Sequence, residues 1–161
     1  MRIIKYSVAA LLVLYMQILI APKFEILGIV PFFILPFVIF ISMKLRFIEA
    51  VIIVFIMGLA IDILDTYILG ANTALLLIVS HLVNRYHTSV TKDKAGPVMI
   101  SVLMLNLLYF VPYIFIKSII YGFNSGLFTL FPLELIYNSI TTITFIILLT
   151  ILFKIRVYLD V

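Results

Sequence analysis

The sequence predicts an all-α membrane protein built as a bundle of six transmembrane helices. Three observations lead there. Hydrophobic residues make up 66% of the 161 residues and charged residues 11%, against about half and about a quarter in a soluble domain. Mean hydropathy is +1.36, so the chain has far more apolar surface than a core of this size can hide, and the bilayer must act as its solvent. The apolar residues fall into six runs, with most of the charge in the short segments between them. A single membrane domain over 1–161 follows, with spans near 6–21, 29–43, 47–64, 70–84, 98–120 and 133–153.

Each run has its own signals. Arg2 and Lys5 precede Tyr6 to Ala21, which resembles the start of a secretory signal peptide. The Leu19-Ile20-Ala21-Pro22 sequence lacks a small-x-small cleavage pattern, so the run reads as an uncleaved first span stopped by Pro22. Gln17 lies within it and needs a partner in the bundle. The second span, Ile29 to Met43, contains Pro31 and Pro36, each of which removes an intrahelical hydrogen bond and tends to kink a helix. Lys44, Arg46 and Glu49 mark an interface before the third span, Phe47 to Leu64. The fourth runs from Gly70 to Asn84. Arg85-Tyr86-His87 and Lys92-Asp93-Lys94 form the longest charged loop. Gly96-Pro97 opens the fifth span, Val98 to Ile120, which Pro112 should bend. Tyr121 to Thr129 reads as a loop, and Pro132 opens the sixth span, Leu133 to Phe153. Gly122 and Gly126 match a small-xxx-small pattern but fall in that polar loop.

Orientation follows from the Lys and Arg bias of short loops. With the N-terminus inside, nine of the eleven basic residues are cytoplasmic and only Lys23 and Lys117 lie outside. Both termini are then cytoplasmic. The net charge of +4 is read as this topology signal rather than as the mark of an acidic partner. Basic residues are spread over four inner segments, so no nucleic-acid patch is indicated.

The stretch Gly58 to Gly70 carries the most information. Ile48 to Ile61 holds one charge, Glu49, and then Asp62 and Asp65 arrive three residues apart. A carboxylate in or near hydrocarbon costs about 2.5–3.5 kcal/mol on insertion scales, so it is normally kept for a reason. At i and i+3 the two share a helix face. Such a pair can bind a cation, relay a proton or do acid–base work, or it can make capping and packing hydrogen bonds; for Asp62 both kinds of role stay open, and Asp65 reads as solvated. Gly58, one turn before Asp62, suits close helix approach. Gly70 suits a φ > 0 position between helices, and Asn72 follows it.

Elsewhere, Asn106 in the fifth span and Asn138, Thr141 and Thr142 in the sixth are expected to hydrogen-bond between helices. His81, Asn84 and Arg85 share a face. With only His87 to accompany His81, and no cysteine, a packed histidine is the better reading than a metal ligand. The absence of cysteine also excludes a disulfide framework and a thiolate nucleophile. No Gly-x-Ser-x-Gly elbow, His-Glu-x-x-His or phosphate-binding glycine loop occurs. Neither an enzyme nor a cofactor is expected.

The region Phe55–Tyr86 resembles the rod shape-determining protein MreD family. The matching positions are Gly58-Leu59-Ala60-Ile61-Asp62, Leu69-Gly70, and the apolar helix running to Arg85-Tyr86. Pro31 fits that family's proline in the second span, although Val30 stands where an arginine is frequent, and Asn138 suits a polar position in the last span. The resemblance covers the whole chain in layout and about thirty residues in motif. It implies a non-enzymatic inner-membrane subunit of the bacterial cell-elongation (rod) complex, a scaffold that helps organise peripheral cell-wall synthesis and cell shape. It implies association with MreC, and through the complex with MreB, RodA and its transpeptidase. It also implies a fold like the substrate-binding components of energy-coupling-factor transporters. A rival reading from a different class follows, a vitamin-binding subunit of such a transporter. That subunit needs an outer pocket, to which Asp62, Asn72 and Glu134 can contribute. It also needs a small-residue face on the first helix, where Ala9, Ala10 and Ala21 make no Ala-xxx-Ala pattern. A third reading, a small-ion channel or exchanger, rests on Asp62 alone. Within the scaffold reading, Gly58, Asp62, Gly70 and Asn72 are expected to fix the hairpin between spans three and four.

Overall fold

The computed structural model describes residues 2–64, 69–90, 95–123 and 125–159. Asp65, Thr66 and the Lys92-Asp93-Lys94 cluster lie outside the described residues. Six α-helices follow one another: α1 (Arg2–Leu19), α2 (Ile34–Lys44), α3 (Phe47–Leu64), α4 (Ala71–Val90), α5 (Ala95–Tyr121) and α6 (Ser125–Leu159), with one 3-10 turn, Ala21–Phe24, after α1. Among the described residues, three stretches are long and apolar enough to cross a membrane, Phe47–Leu64, Ile100–Ile120 and Phe128–Phe153. The apolar parts of α1 and α2 are shorter.

The bundle is arranged around α2. A helix that is apolar on every side has no preferred outer face and belongs inside, and every residue from Ile34 to Ser42 is buried. Around it stand α1, α3, α4 and α6, while α5 closes the bundle between α4 and α6. The outer surface stays apolar. On α3, Ile48, Ile52, Ile56 and Ile63 make an exposed stripe at helical spacing, the kind of face that hydrocarbon solvates. At the far end of α2 the orphan carbonyls are met from α4: the Asn84 amide donates to Ser42 O at 3.0 Å and Leu45 O at 3.3 Å, and the Ser42 hydroxyl bonds that of Ser80 at 2.8 Å.

Several element boundaries differ from the sequence expectation. The stretch expected to span from Ile29 is helical only from Ile34. Leu27 (φ 54°) and Gly28 (φ 82°) turn the chain through the left-handed region, Ile26 and Ile29 exchange backbone hydrogen bonds across that turn, and Pro31 disfavours the helical region for Val30 before it. Pro36, by contrast, sits in the first turn of α2, where no intrahelical donor is needed. The charged segment after Asn84 is not a loop throughout, since α4 continues to Val90 and α5 already begins at Ala95. Pro132 does not open α6 but lies inside it.

The non-helical segment 29–33 needs outside partners for its backbone, because hydrocarbon offers none. It finds them in two side chains. Asn138 Oδ1 accepts the Phe32 N–H at 2.9 Å. Gln17 Oε1 accepts the Phe33 N–H at 2.7 Å, and Gln17 Nε2 donates to Pro31 O at 3.1 Å. Gln17 thus reads one stretch of backbone with both ends of its amide. Gln17→Leu leaves a donor and an acceptor unpaired, and about 1–3 kcal/mol of stability should be lost. Gln17→Glu, which keeps the acceptor, should lie between. The thermal midpoint of the detergent-solubilised protein measures this; equal midpoints for Leu and wild type would mean that the segment does not depend on Gln17.

Candidate functional site: the polar hairpin and the cavity beside it

The first N–H groups of a helix lack intrahelical partners, and a residue at the N-cap normally supplies a side-chain acceptor to the second and third of them. In α4 the N-cap position falls to Gly70, whose carbonyl accepts the Ala74 N–H at 3.0 Å. Its φ of +89° is easy for glycine, but glycine has no side chain to offer. The acceptor comes from α3 instead. Asp62 Oδ1 accepts the Asn72 N–H at 3.0 Å and Oδ2 the Thr73 N–H at 3.0 Å. The Thr73 hydroxyl also donates to Oδ2. Asp62 is 1% exposed, so a buried carboxylate is held by three donors at the positive end of a helix dipole.

Gly58 makes this reach possible. A Cβ at that position would stand 2.6 Å from Thr73 Cα and 2.9 Å from Thr73 Oγ1. The first turn of α4 therefore rests on bare backbone of α3, one turn from the carboxylate that caps it. Asn72 extends the unit to α5: its Oδ1 accepts the Tyr109 hydroxyl at 2.5 Å. Gly58, Asp62, Gly70 and Asn72 are thus brought together at one junction.

The other two polar candidates lie apart. Asn106 is fully buried and ties α5 to α6, its Oδ1 accepting the Thr142 hydroxyl at 3.3 Å and its Nδ2 donating to Val102 O at 2.9 Å. Asn138 reaches the non-helical segment before α2 rather than another helix, through the bond to Phe32, while its Nδ2 donates to its own helix at Glu134 O, 3.1 Å. Thr141 bonds the Tyr137 carbonyl of its own helix at 2.8 Å. His81 sits edge-on to Phe47, with ring centroids 5.4 Å apart. Thr73 and Tyr109 carry contacts that sequence reasoning does not single out. For Thr73 a signal exists, since it is the third residue after a glycine N-cap; for Tyr109 only the packing of α5 on α4 reveals the role.

A cavity of about 520 Å³ opens beside the junction. It gathers the last turns of α1, α3 and α5, the segment before α2, and the early turns of α4 and α6, through residues that include Gln17, Ile61, Asn72, Lys117 and Glu134. Asp62 is not among its lining residues; its oxygens are spent on α4. Paired acid–base chemistry through Asp62 and Asp65 finds no geometric support, since the one carboxylate is engaged by three donors and the other is outside the described residues. Among the described residues, no group of three or more His, Asp or Glu side chains is placed to hold a metal ion.

A family model described as rod shape-determining protein MreD matches residues 1–156. The chain belongs to that family. Membership brings a role in rod shape determination and a place in the membrane, and the MreD family is a shape-determining, structural one. No curated protein and no solved structure matches the chain. Within this MreD-family chain, the motif Gly58-Leu59-Ala60-Ile61-Asp62 and the following Leu69-Gly70 supply three residues of the α3–α4 junction, Gly58, Asp62 and Gly70.

Proposed function

We propose that this chain is a non-catalytic scaffold subunit of the bacterial cell-elongation (rod) complex, resident in the inner membrane, which helps organise peripheral cell-wall synthesis. The observation that carries the proposal is the family match over residues 1–156. The polar geometry supports it: Gln17, Asp62, Asn84, Asn106 and Asn138 all hydrogen-bond groups that hold elements together. In this reading Gly58, Asp62, Gly70 and Asn72 keep α3 and α4 as one rigid hairpin, and Asn106 and Asn138 fix α6. The partner is MreC, and through the complex MreB, RodA and its transpeptidase. The chain crosses the bilayer six times as a single domain with both termini cytoplasmic, in keeping with the distribution of basic residues. The likeness to substrate-binding components of energy-coupling-factor transporters belongs to the same proposal, supported by six helices with a cavity at one end. Family membership favours the scaffold over the vitamin-transporter subunit.

Co-purification tests it. Tagged protein extracted in mild detergent should retain MreC in stoichiometric amount. Recovery of folded protein without MreC, from cells that express both at normal level, would end the scaffold reading.

A further inference from the structure

A second hollow lies toward the other end of the bundle from the polar junction. It runs between α4 and α5, against α2, and holds about 300 Å³. Ile39 and Met43 of α2, Leu82 and Tyr86 of α4, and Met104 of α5 line it, and the described wall is apolar apart from Tyr86 and Ser101. It is open to the outside of the bundle, since Tyr86 is 53% and Met104 59% exposed. Its shape is held by bonds already described: the Asn84 amide ties to α4 the carbonyls of Ser42 and Leu45, on either side of Met43.

Such a groove in a membrane protein does not stay empty. A void forfeits the dispersion contacts of its lining, and water finds no polar partners in a wall of this kind. A helix about 10–12 Å across would fill the volume with less than one turn of about 5.4 Å, so a transmembrane helix of a partner does not fit. A cavity of about 150 Å³ admits benzene, and twice that volume suits one extended acyl chain. The wall cannot by itself choose among lipids, because lipid tails are as apolar as leucine. Selection has to come from the rim, and the rim is basic. The Arg85 guanidinium stands 5.8 Å from the centroid of the Tyr86 ring, and both residues are exposed. One residue past Met43, α2 ends at Lys44, which is exposed, as is Arg46 after it. Among the described residues, this end of the bundle carries Lys5, Lys44, Arg46 and Arg85 against one carboxylate, Glu49.

We propose that the groove holds an anionic phospholipid, with one acyl chain between α4 and α5 and the phosphate at Arg85. A guanidinium matches phosphate oxygens in a bidentate way, and Lys44 and Arg46 add to the positive potential that draws the head group in. Basic pockets between transmembrane helices take lipid head groups by the same physics. The site needs the membrane placement that membership of the MreD family brings. It does not need the scaffold role, which the MreC co-purification tests separately.

Native mass spectrometry reads the outcome. The full chain is reconstituted into vesicles of equal parts dioleoyl phosphatidylglycerol and dioleoyl phosphatidylcholine, then extracted in mild detergent. The acyl chains are identical, so only the head group differs. One retained lipid per chain is expected, with phosphatidylglycerol favoured at least about fivefold, or about 1 kcal/mol. Arg85→Gln should bring the ratio to about one while a lipid is still retained. Met104→Trp should fill the groove and lower retention of both lipids at least about fivefold. Both substitutions fall at exposed positions, so folded protein is expected from each. Glycerol 3-phosphate, a phosphate without a chain, should displace no lipid at millimolar concentration. Absence of a retained lipid overturns the proposal, as does equal retention of the two lipids by the wild type or an unchanged preference in Arg85→Gln. So does displacement by glycerol 3-phosphate, which would leave the groove no part in binding. A mass for two chains that Met104→Trp abolishes would overturn it in favour of a second copy of this chain.

Discussion

Asp62→Asn should destabilise the protein by about 2–4 kcal/mol, because one acceptor atom is exchanged for a donor in a site where three donors converge. Whichever way the new amide turns, either the Asn72 N–H or the pair of groups on Thr73 faces an N–H instead of an oxygen. With the carboxylate 1% exposed, water does not replace the lost acceptor. Thr73→Val is the control. It removes only the hydroxyl, leaves both backbone bonds in place, and should cost about 1 kcal/mol. Thermal midpoints in detergent rank the three proteins, and a double-mutant cycle isolates the hydroxyl–carboxylate term. In cells, loss of rod shape should follow Asp62→Asn in step with loss of folded protein. A midpoint equal to wild type would show that the cap is dispensable. Lost shape with an unchanged midpoint would assign Asp62 a direct contact with a partner.

That cap shows where local sequence stops being informative. The motif around Gly58 and Asp62 is legible because glycine and carboxylate are both costly in an apolar helix, so each stands out against its neighbours. The acceptor's target is ten and eleven residues away in the chain. The clue to it is Gly70 at the N-cap, a glycine where a side-chain acceptor is normally found. The membrane class and the six helices are legible for a simpler reason, since they depend on total apolarity. The place of α2 is not. A span facing lipid and a helix buried at the centre of a bundle are both apolar all round, because lipid tails are as apolar as leucine. Only the length hints at the difference: α2 is 11 residues, short for a bilayer that asks for about 20. The break before α2 is half legible. Pro31 and Gly28 mark it, yet the side chains that make it tolerable, Gln17 and Asn138, come from the first and last helices. The cavity is invisible to any local reading, as its lining is drawn from six elements.

Gly58 should be the position least tolerant of a side chain. A methyl group there would fall 2.6 Å from Thr73 Cα, and the obstructing atom is backbone at the start of a helix, so it cannot rotate aside as a flexible side chain would. Helix propensity favours alanine over glycine by about 1 kcal/mol, which works in the opposite direction. Overpacking a close contact costs about 1–3 kcal/mol and more for larger groups. For Gly58→Ala the two effects nearly offset on α3 itself, and the net loss should come from the junction: α4 must move away, stretching the bonds from Asn72 and Thr73 to Asp62. Gly58→Leu has no such offset and should prevent accumulation of folded protein. The coupling gives a sharper test than either mutation alone. If Gly58 matters because it lets Asp62 reach α4, then Gly58→Ala should cost little in an Asp62→Asn background, where the cap is already impaired. Additive losses would mean that close packing and capping are independent, and that the glycine serves helix approach alone. Gly70→Ala separates the conformational part of the same junction, since nothing lies within 4 Å of an added Cβ there and only the φ of +89° opposes it. Its cost should be about 1–2 kcal/mol, read from the same thermal midpoints.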